Sequence, residues 1–396
     1  MAEHYCDYLI VGAGLAAAAA IEGIREHDRD GSITMIGAEN HLPYHRPPLS
    51  KKLWFGKTEV KDLFVHDQAF YDHNGVSFFP GRRVVSLDAK SPTATDSKGQ
   101  SHRFKKLLLA TGGAPQNLPI PGGKIDGVCY YRFLDDYQRI RQQADEGRSA
   151  MIIGGGFIGS EMAAALRINK LNVTMVYPAT HLCDRVLPAD LGLAMERIYQ
   201  DRGIRILKGQ KPTSFDRKGS AFFIRTSGGA QIECDLLIVG VGIKPAVELA
   251  EAAGLRTGDG IIVNEYLQTS HPSIYAAGDN ARFPYQALGQ QARVEHWDNA
   301  LNQGKLAGRN MAGAHEPFTY MPYFFSDLFE FGYEAVGDVN SQMEIVADWQ
   351  KQHDTGVIYY LRNHKIRGVM MCNVWDKVDA ARQLILRGAD ATERLA

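Results

Sequence analysis

Two glycine turns carry the chemistry of this chain. Gly12-Ala13-Gly14-Leu15-Ala16-Ala17 and Gly154-Gly155-Gly156-Phe157-Ile158-Gly159 both have the spacing that lets backbone N–H groups approach a dinucleotide pyrophosphate. The first glycine permits a tight turn, the second a close approach, and the helix that follows adds its positive end. Glu39 stands about two dozen residues beyond the first turn, where an acid accepts from a ribose hydroxyl. Phe157 and Glu161 are four apart, so a helix places them on one face. Either turn alone would be weak evidence, because a glycine turn also serves merely to pack helix on strand. Two dinucleotide sites in one chain point to a flavin facing a nicotinamide, and to hydride transfer achieved by positioning.

The elements that must hold these groups are legible around them. Tyr8–Val11 reads as a buried strand feeding Gly12, an alanine-rich helix follows through Arg25, and Ile33–Ile36 is a second strand ending just before Glu39. The pattern recurs as Met151–Ile153, a helix over Ser160–Ile168 and Val173–Val176. Leu107–Leu109 runs into Thr111-Gly112, Leu236–Val239 into Gly240 and Gly242, and Ser273–Ala277 into Gly278-Asp279. Asp279 either accepts from a polyol chain or caps a helix from Asn280 onward. Gly356–Arg362 and Lys365–Cys372 read as a hairpin turning at Asn363-His364.

Composition closes off other classes. The 396 residues suggest two or three domains, and 44 Lys+Arg against 45 Asp+Glu leave no basic surplus for nucleic acid, so none is expected as a partner. The five cysteines, Cys6, Cys129, Cys183, Cys234 and Cys372, form no close pair, which leaves metal, iron–sulfur and dithiol chemistry unsupported. Among the histidines, His41 and His45 are separated by Pro43 and share no helix face. Ala2–Asp7 lacks the basic residues of a secretory leader, and no apolar run reaches the ~18 residues of a membrane span. A cytoplasmic location is the expectation.

The chain resembles the FAD-dependent pyridine-nucleotide oxidoreductases of the ferredoxin-reductase type, most of all the branch of apoptosis-inducing factor and its prokaryotic relatives. The likeness rests on Leu42–Phe55 with its R-P-P-L-S-K run (46–51), Ala110–Gly113, Gly154–Glu161, Ala277–Asp279 and Arg293–Trp297. It continues through Ser326–Leu328, Gly332–Gly337 and Gly356–Arg362. The implied fold is α/β, with two Rossmann-like dinucleotide-binding domains (three-layer ββα type) and a C-terminal α+β domain. The implied FAD-binding domain is split over 1–122 and 246–317, the NAD(P)H-binding domain takes 123–245, and the C-terminal domain takes 318–396.

The resemblance also assigns residues. FAD is expected at Gly12, Gly14, Leu15, Ala16, Glu39, Arg46, Lys51, Val84, Thr111, Gly112, Arg132, Asp279, Glu295, His296, Trp297 and Phe325. NADH or NADPH is expected at Gly154, Gly156, Phe157, Ile158, Gly159, Glu161, Tyr177 and Gly242. It pairs Glu161 with Lys51 beside flavin N5 and sets Phe157 over the flavin ring. Without the resemblance, Phe157 reads as core and the pair as a weak surface bridge. His296 is expected to hydrogen-bond the flavin or to shuttle protons near neutral pH.

Three departures from the family stand out. Ala38 replaces the first of two adjacent acids before Glu39, Tyr177 occupies the strand end where an NAD-type acid belongs, and Phe325 replaces a common Trp. The implied activity is NAD(P)H oxidation through FAD, with electrons passed to an acceptor such as a ferredoxin- or rubredoxin-type protein or a quinone. The alternative is a slow redox-sensing interaction protein that forms a long-lived reduced-flavin/NAD charge-transfer complex. Homodimerisation, with or without redox control, is left open.

Overall fold

The computed structural model describes residues 3–395. It divides into two compact units. One comprises 1–45, 60–114 and 244–323; the other comprises 46–59, 115–243 and 324–396.

In the first unit, Val76–Phe79, Ile33–Ile36, His4–Val11 and Ser101–Leu109 lie side by side as parallel strands. Ile274–Ala276 also pairs with Ser101–Leu109, and the hairpin of Val84–Asp88 and Thr93–Asp96 extends the sheet antiparallel. Apolar residues fill the central strands because both faces are covered. The helices Leu15–His27 and Trp297–Met311 pack together at backbone contact. A Cβ at Gly304 would fall 2.3 Å from the Ala16 carbonyl oxygen, and one at Gly308 would fall 2.1 Å from that of Ala20. The alanine run Ala16–Ala20 is therefore what the neighbouring helix demands. A small four-stranded sheet over Thr257–Arg293 completes the unit.

In the second unit, Arg205–Lys208, Asn172–Tyr177, Ser149–Ile153, Leu236–Val239 and Cys129–Tyr130 form a parallel sheet. Met151, Ile153, Val176, Leu237 and Val239 of this sheet share a core with Phe215, Phe222, Ile224 and Cys234 of the antiparallel sheet Pro212–Cys234. The helix Phe157–Ile168 packs on two of the parallel strands. The C-terminal residues form a five-stranded sheet closed by the helix Val378–Leu386. Within it, Thr355–Arg362 and Lys365–Cys372 pair antiparallel around Asn363 (φ 53°) and His364 (φ 60°). Two consecutive left-handed residues are what a tight hairpin of this twist needs.

Candidate functional site

Each unit carries one glycine cradle. In the first, Gly12 has φ +117°, and a Cβ there would fall 2.1 Å from the Ala110 carbonyl oxygen, so only glycine fits. Gly14 caps the helix Leu15–His27 in an extended conformation, and nothing lies within 4 Å of where its Cβ would be. The tight glycine thus holds the turn while the open one faces vacant space. Leu15 and Ala16 are buried in the first helical turn, which contains no acid, so their end of the helix is unneutralised.

Glu39 lies past the neighbouring strand and accepts from the Tyr44 hydroxyl at 2.6 Å. Val84 is buried at the start of its own strand. It lies two residues after Arg82, whose N–H donates to the Gly37 carbonyl, so it sits at Glu39's end of the sheet. Thr111 donates to the Ala246 carbonyl at 2.7 Å and accepts from Asn280 at 2.8 Å, with Gly112 left-handed beside it.

Asp279 follows the strand Ile274–Ala276, and the next element is the strand Ala281–Tyr285. The alternative of a helix cap is thereby overturned. Instead Gln303 accepts from the Gly278 N–H, tying this turn to the helix Trp297–Met311. Arg293 bonds both the Asp279 carbonyl and the Glu295 carboxylate, and His296 caps that helix. The Trp297 indole donates to His45 at 2.9 Å, which fixes the ring. Burial pushes the His296 imidazole down to about 4. Burial thus favours the neutral form of the ring.

The second cradle repeats the first. Gly154 has φ +122° and would meet the Gly240 carbonyl at 2.2 Å, whereas Gly156 again faces open space. Gly159 would strike the Gly154 carbonyl at 2.1 Å, which explains why the third position is glycine here. Phe157 opens the helix half-buried, its ring 5.7 Å from that of Phe324, and Ile158 is exposed beside it. Gly242 is left-handed, and its carbonyl accepts from Gln116.

Glu161, one turn along from Phe157, is only 4% exposed. Its carboxylate accepts from Lys51 Nζ at 2.9 Å, Ser326 at 2.6 Å and Ser50 at 2.5 Å. Lys51 is 5% exposed, with Nζ 4.8 Å from the centre of the Phe325 ring. The weak surface bridge is thus overturned: this is a desolvated pair whose remaining lone pairs are met by hydroxyls. Pro47 starts the 3₁₀ turn Pro47–Ser50 that delivers Lys51, and the Leu49 carbonyl accepts from both Trp54 and Tyr131. Arg46 donates to the Arg132 carbonyl and lies over the Phe133 ring, so Arg46 and Arg132 are neighbours.

One assignment changes. The Tyr177 side chain is 1% exposed, packs beneath Gly155 and donates to Glu196 at 2.8 Å. It props the turn from below. Ser50, Ser326, Glu196 and Asn280 were missed because single polar residues far apart in sequence carry no spacing signal; only the position of Ser50 beside Lys51 hinted at it. All five thiols are free and buried, and burial raises Cys129, Cys183 and Cys234 to about 12.

Residues 6–304 match the family model described as pyridine nucleotide-disulphide oxidoreductase. The chain belongs to that family. Segments 307–355 and 347–387 match the C-terminal domain model of mitochondrion-associated apoptosis-inducing factor. The chain is 33% identical over 386 residues to the ferredoxin–NAD(+) reductase component of an anthranilate 1,2-dioxygenase system from Burkholderia cepacia, covering 96% of this chain and 94% of that protein. It is 30% identical to putidaredoxin reductase from Pseudomonas putida, covering 96% and 91%. A crystal structure of a covalent putidaredoxin reductase–putidaredoxin complex superposes with a TM-score of 0.90 at 30% identity, covering 97% and 93%.

This member of the pyridine nucleotide-disulphide oxidoreductase family is an FAD-dependent NAD(P)H oxidoreductase of the ferredoxin-reductase type. The residues present fit the two dinucleotides. Each cradle combines an obligatory glycine, an open second glycine and a helix end free of acid in its first turn. The five cysteines are free and buried.

Proposed function

We propose that this chain moves electrons from NAD(P)H to a small iron–sulfur protein of the ferredoxin type. One NAD(P)H gives up two electrons and releases one proton, and two oxidised acceptors each take one electron. FAD supplies the exchange between a hydride donor and one-electron acceptors. The chain holds it with the N–H groups of Gly14, Leu15 and Ala16, with Glu39 on the ribose, and with Thr111, Gly112, Val84, Asp279, Glu295, His296 and Trp297 along its length. Arg46, Arg132 and Phe325 complete the set. The second cradle binds the nicotinamide nucleotide through Gly154, Gly156, Ile158, Gly159 and Gly242, with Phe157 screening the ring.

The buried Lys51–Glu161 pair carries the reading. Glu161 pairs with Lys51 Nζ at 2.9 Å, and a cation there favours added negative charge. We assign FAD binding to 1–122 and 246–317, nicotinamide binding to 123–245, and the remaining 318–396 to a separate domain. The cytoplasm is the proposed location.

Anaerobic stopped-flow reduction by NADH and NADPH, followed by mixing with oxidised ferredoxin, tests this. Rapid reoxidation by the carrier supports the proposal. A reduced protein that persists with its long-wavelength absorbance, unreactive to ferredoxin and oxygen, would overturn it in favour of the redox sensor.

A further inference from the structure

The two cradles can be aligned through their backbone hydrogen bonds, without appeal to side chains. In the first, the Gly12 N–H donates to the Ile36 carbonyl, Arg82 to that of Gly37 and Gly81 to that of Glu39. In the second, Gly154 donates to Val176, Gln210 to Tyr177 and Gly209 to Ala179. The residue equivalent to Glu39, the ribose acid of the first cradle, is therefore Ala179.

Tyr177 faces inward, and no acid occurs from Tyr177 to Cys183. The carboxylate at this end of the sheet is Glu196, which is buried and doubly engaged. One oxygen accepts from Tyr177 at 2.8 Å, and the other accepts from Lys208 at 2.7 Å. Lys208 pairs in register with Tyr177 and keeps its side chain 44% exposed while Glu196 is 4% exposed. This strand end thus carries Ala179 and a half-exposed lysine paired with Glu196, where a nucleotide-binding unit of this kind needs a carboxylate to select a 2′-hydroxyl.

We infer that the second cradle accepts the 2′-phosphorylated coenzyme: it binds NADP(H) at least as tightly as NAD(H), with Lys208 meeting the 2′-phosphate. A carboxylate at this position repels that phosphate, and with Ala179 here that repulsion is absent, while Lys208 lies on the neighbouring strand. The inference rests on the proposal that this cradle binds a nicotinamide nucleotide at all. It adds a coenzyme class that the cradle accepts.

The test is equilibrium titration of the FAD-loaded protein with NAD+ and NADP+ by calorimetry, which reads binding independently of turnover. The expected result is a Kd for NADP+ no greater than that for NAD+. Lys208→Gln should weaken NADP+ by about tenfold, the loss of one charge-assisted hydrogen bond, and NAD+ by less than about twofold. Lys208→Arg should keep NADP+ binding. Ala179→Glu, which rebuilds the acid of the first cradle, should weaken NADP+ by at least about tenfold and leave NAD+ as tight or tighter. NAD+ as the tighter ligand in the wild type, or a Lys208→Gln change that moves both ligands equally, would overturn the inference while leaving the oxidoreductase reading intact. Binding of neither dinucleotide would overturn that reading, and the inference with it.

Discussion

The two glycine cradles are the same backbone with different ends. Gly12 and Gly154 are both pinned at positive φ against a neighbouring carbonyl, and Gly14 and Gly156 both open onto empty space. At the ribose end they part: Glu39 in one, Ala179 in the other, with Tyr177 turned into the core. In the proposed reading, the shared turn geometry and helix end take the pyrophosphate, and the side chains past the second strand decide which dinucleotide binds. On that reading, recognition of the pyrophosphate and of the ribose are separable, so that each can be broken alone.

The largest effect should come from the pinned glycines. Gly12→Val or Gly154→Val sets a branched side chain at positive φ within about 2.2 Å of a carbonyl oxygen. The conformational strain and clash together cost more than about 3 kcal/mol. We expect Gly12→Val to purify without FAD, as read from its absorbance spectrum. Gly154→Val should keep its FAD and lose at least about 100-fold in nicotinamide-nucleotide affinity. If either variant lost both ligands to the same degree, the cradles would not be independent sites.

Next is the buried pair, which belongs to one unit only. Removing one partner of a desolvated ion pair costs about 3–5 kcal/mol. Lys51→Met should slow flavin reduction by about 100-fold with FAD retained, and Glu161→Gln by a similar factor. Ser326→Ala removes one hydroxyl from Glu161, a loss of about 1 kcal/mol, and should slow reduction by less than about tenfold. Stopped-flow traces at matched FAD occupancy rank the three, and equal rates in all of them would show that Glu161 and Lys51 only hold the fold.

A smaller change sharpens the ribose contrast. Glu39→Ala makes the first cradle resemble the second at this position, and FAD affinity should fall by about tenfold, measured by fluorescence on FAD release. An unchanged affinity would mean that Glu39 serves mainly as the partner of Tyr44.

These contrasts explain what could be read in advance. The turns, their flanking strands and the hairpin at Asn363-His364 were legible because each is a local pattern of glycine, apolar run and turn residue. The fate of Asp279 was not, since the strand after Asn280 is fixed by pairing with Gly260–Ile262 and Gln290–Arg293, which no motif at Asp279 announces. The Ser50 and Ser326 contacts on Glu161 span 111 and 165 residues, and lone serines carry no motif. The inward turn of Tyr177 depends on Glu196 from another helix, so the residue at the strand end was visible but its direction was not.

The smallest predicted effect separates the units by pH. In the first, burial would raise Asp96, but hydrogen bonds from Arg82, His102 and the N–H groups of Gln100 and Lys98 outweigh it and hold its carboxyl well below the usual range. Burial pushes His102 below its ordinary 6.5, and Asp96 offsets only part of that. Both folded values lie below the unfolded ones, so both groups give stability that is present above the unfolded values and is lost as pH falls. His102 acts first, below about pH 6.5, and Asp96 follows below about pH 4. Lowering the pH from 7.5 to 5 should therefore reduce Tm by a few degrees. Hydrogen exchange should rise earlier in Val84–Leu109 than in Ser149–Tyr177. His102→Gln removes the titration and should flatten the change between pH 6.5 and 5. Identical slopes in the variant and the parent would show that the acid sensitivity arises elsewhere in the molecule.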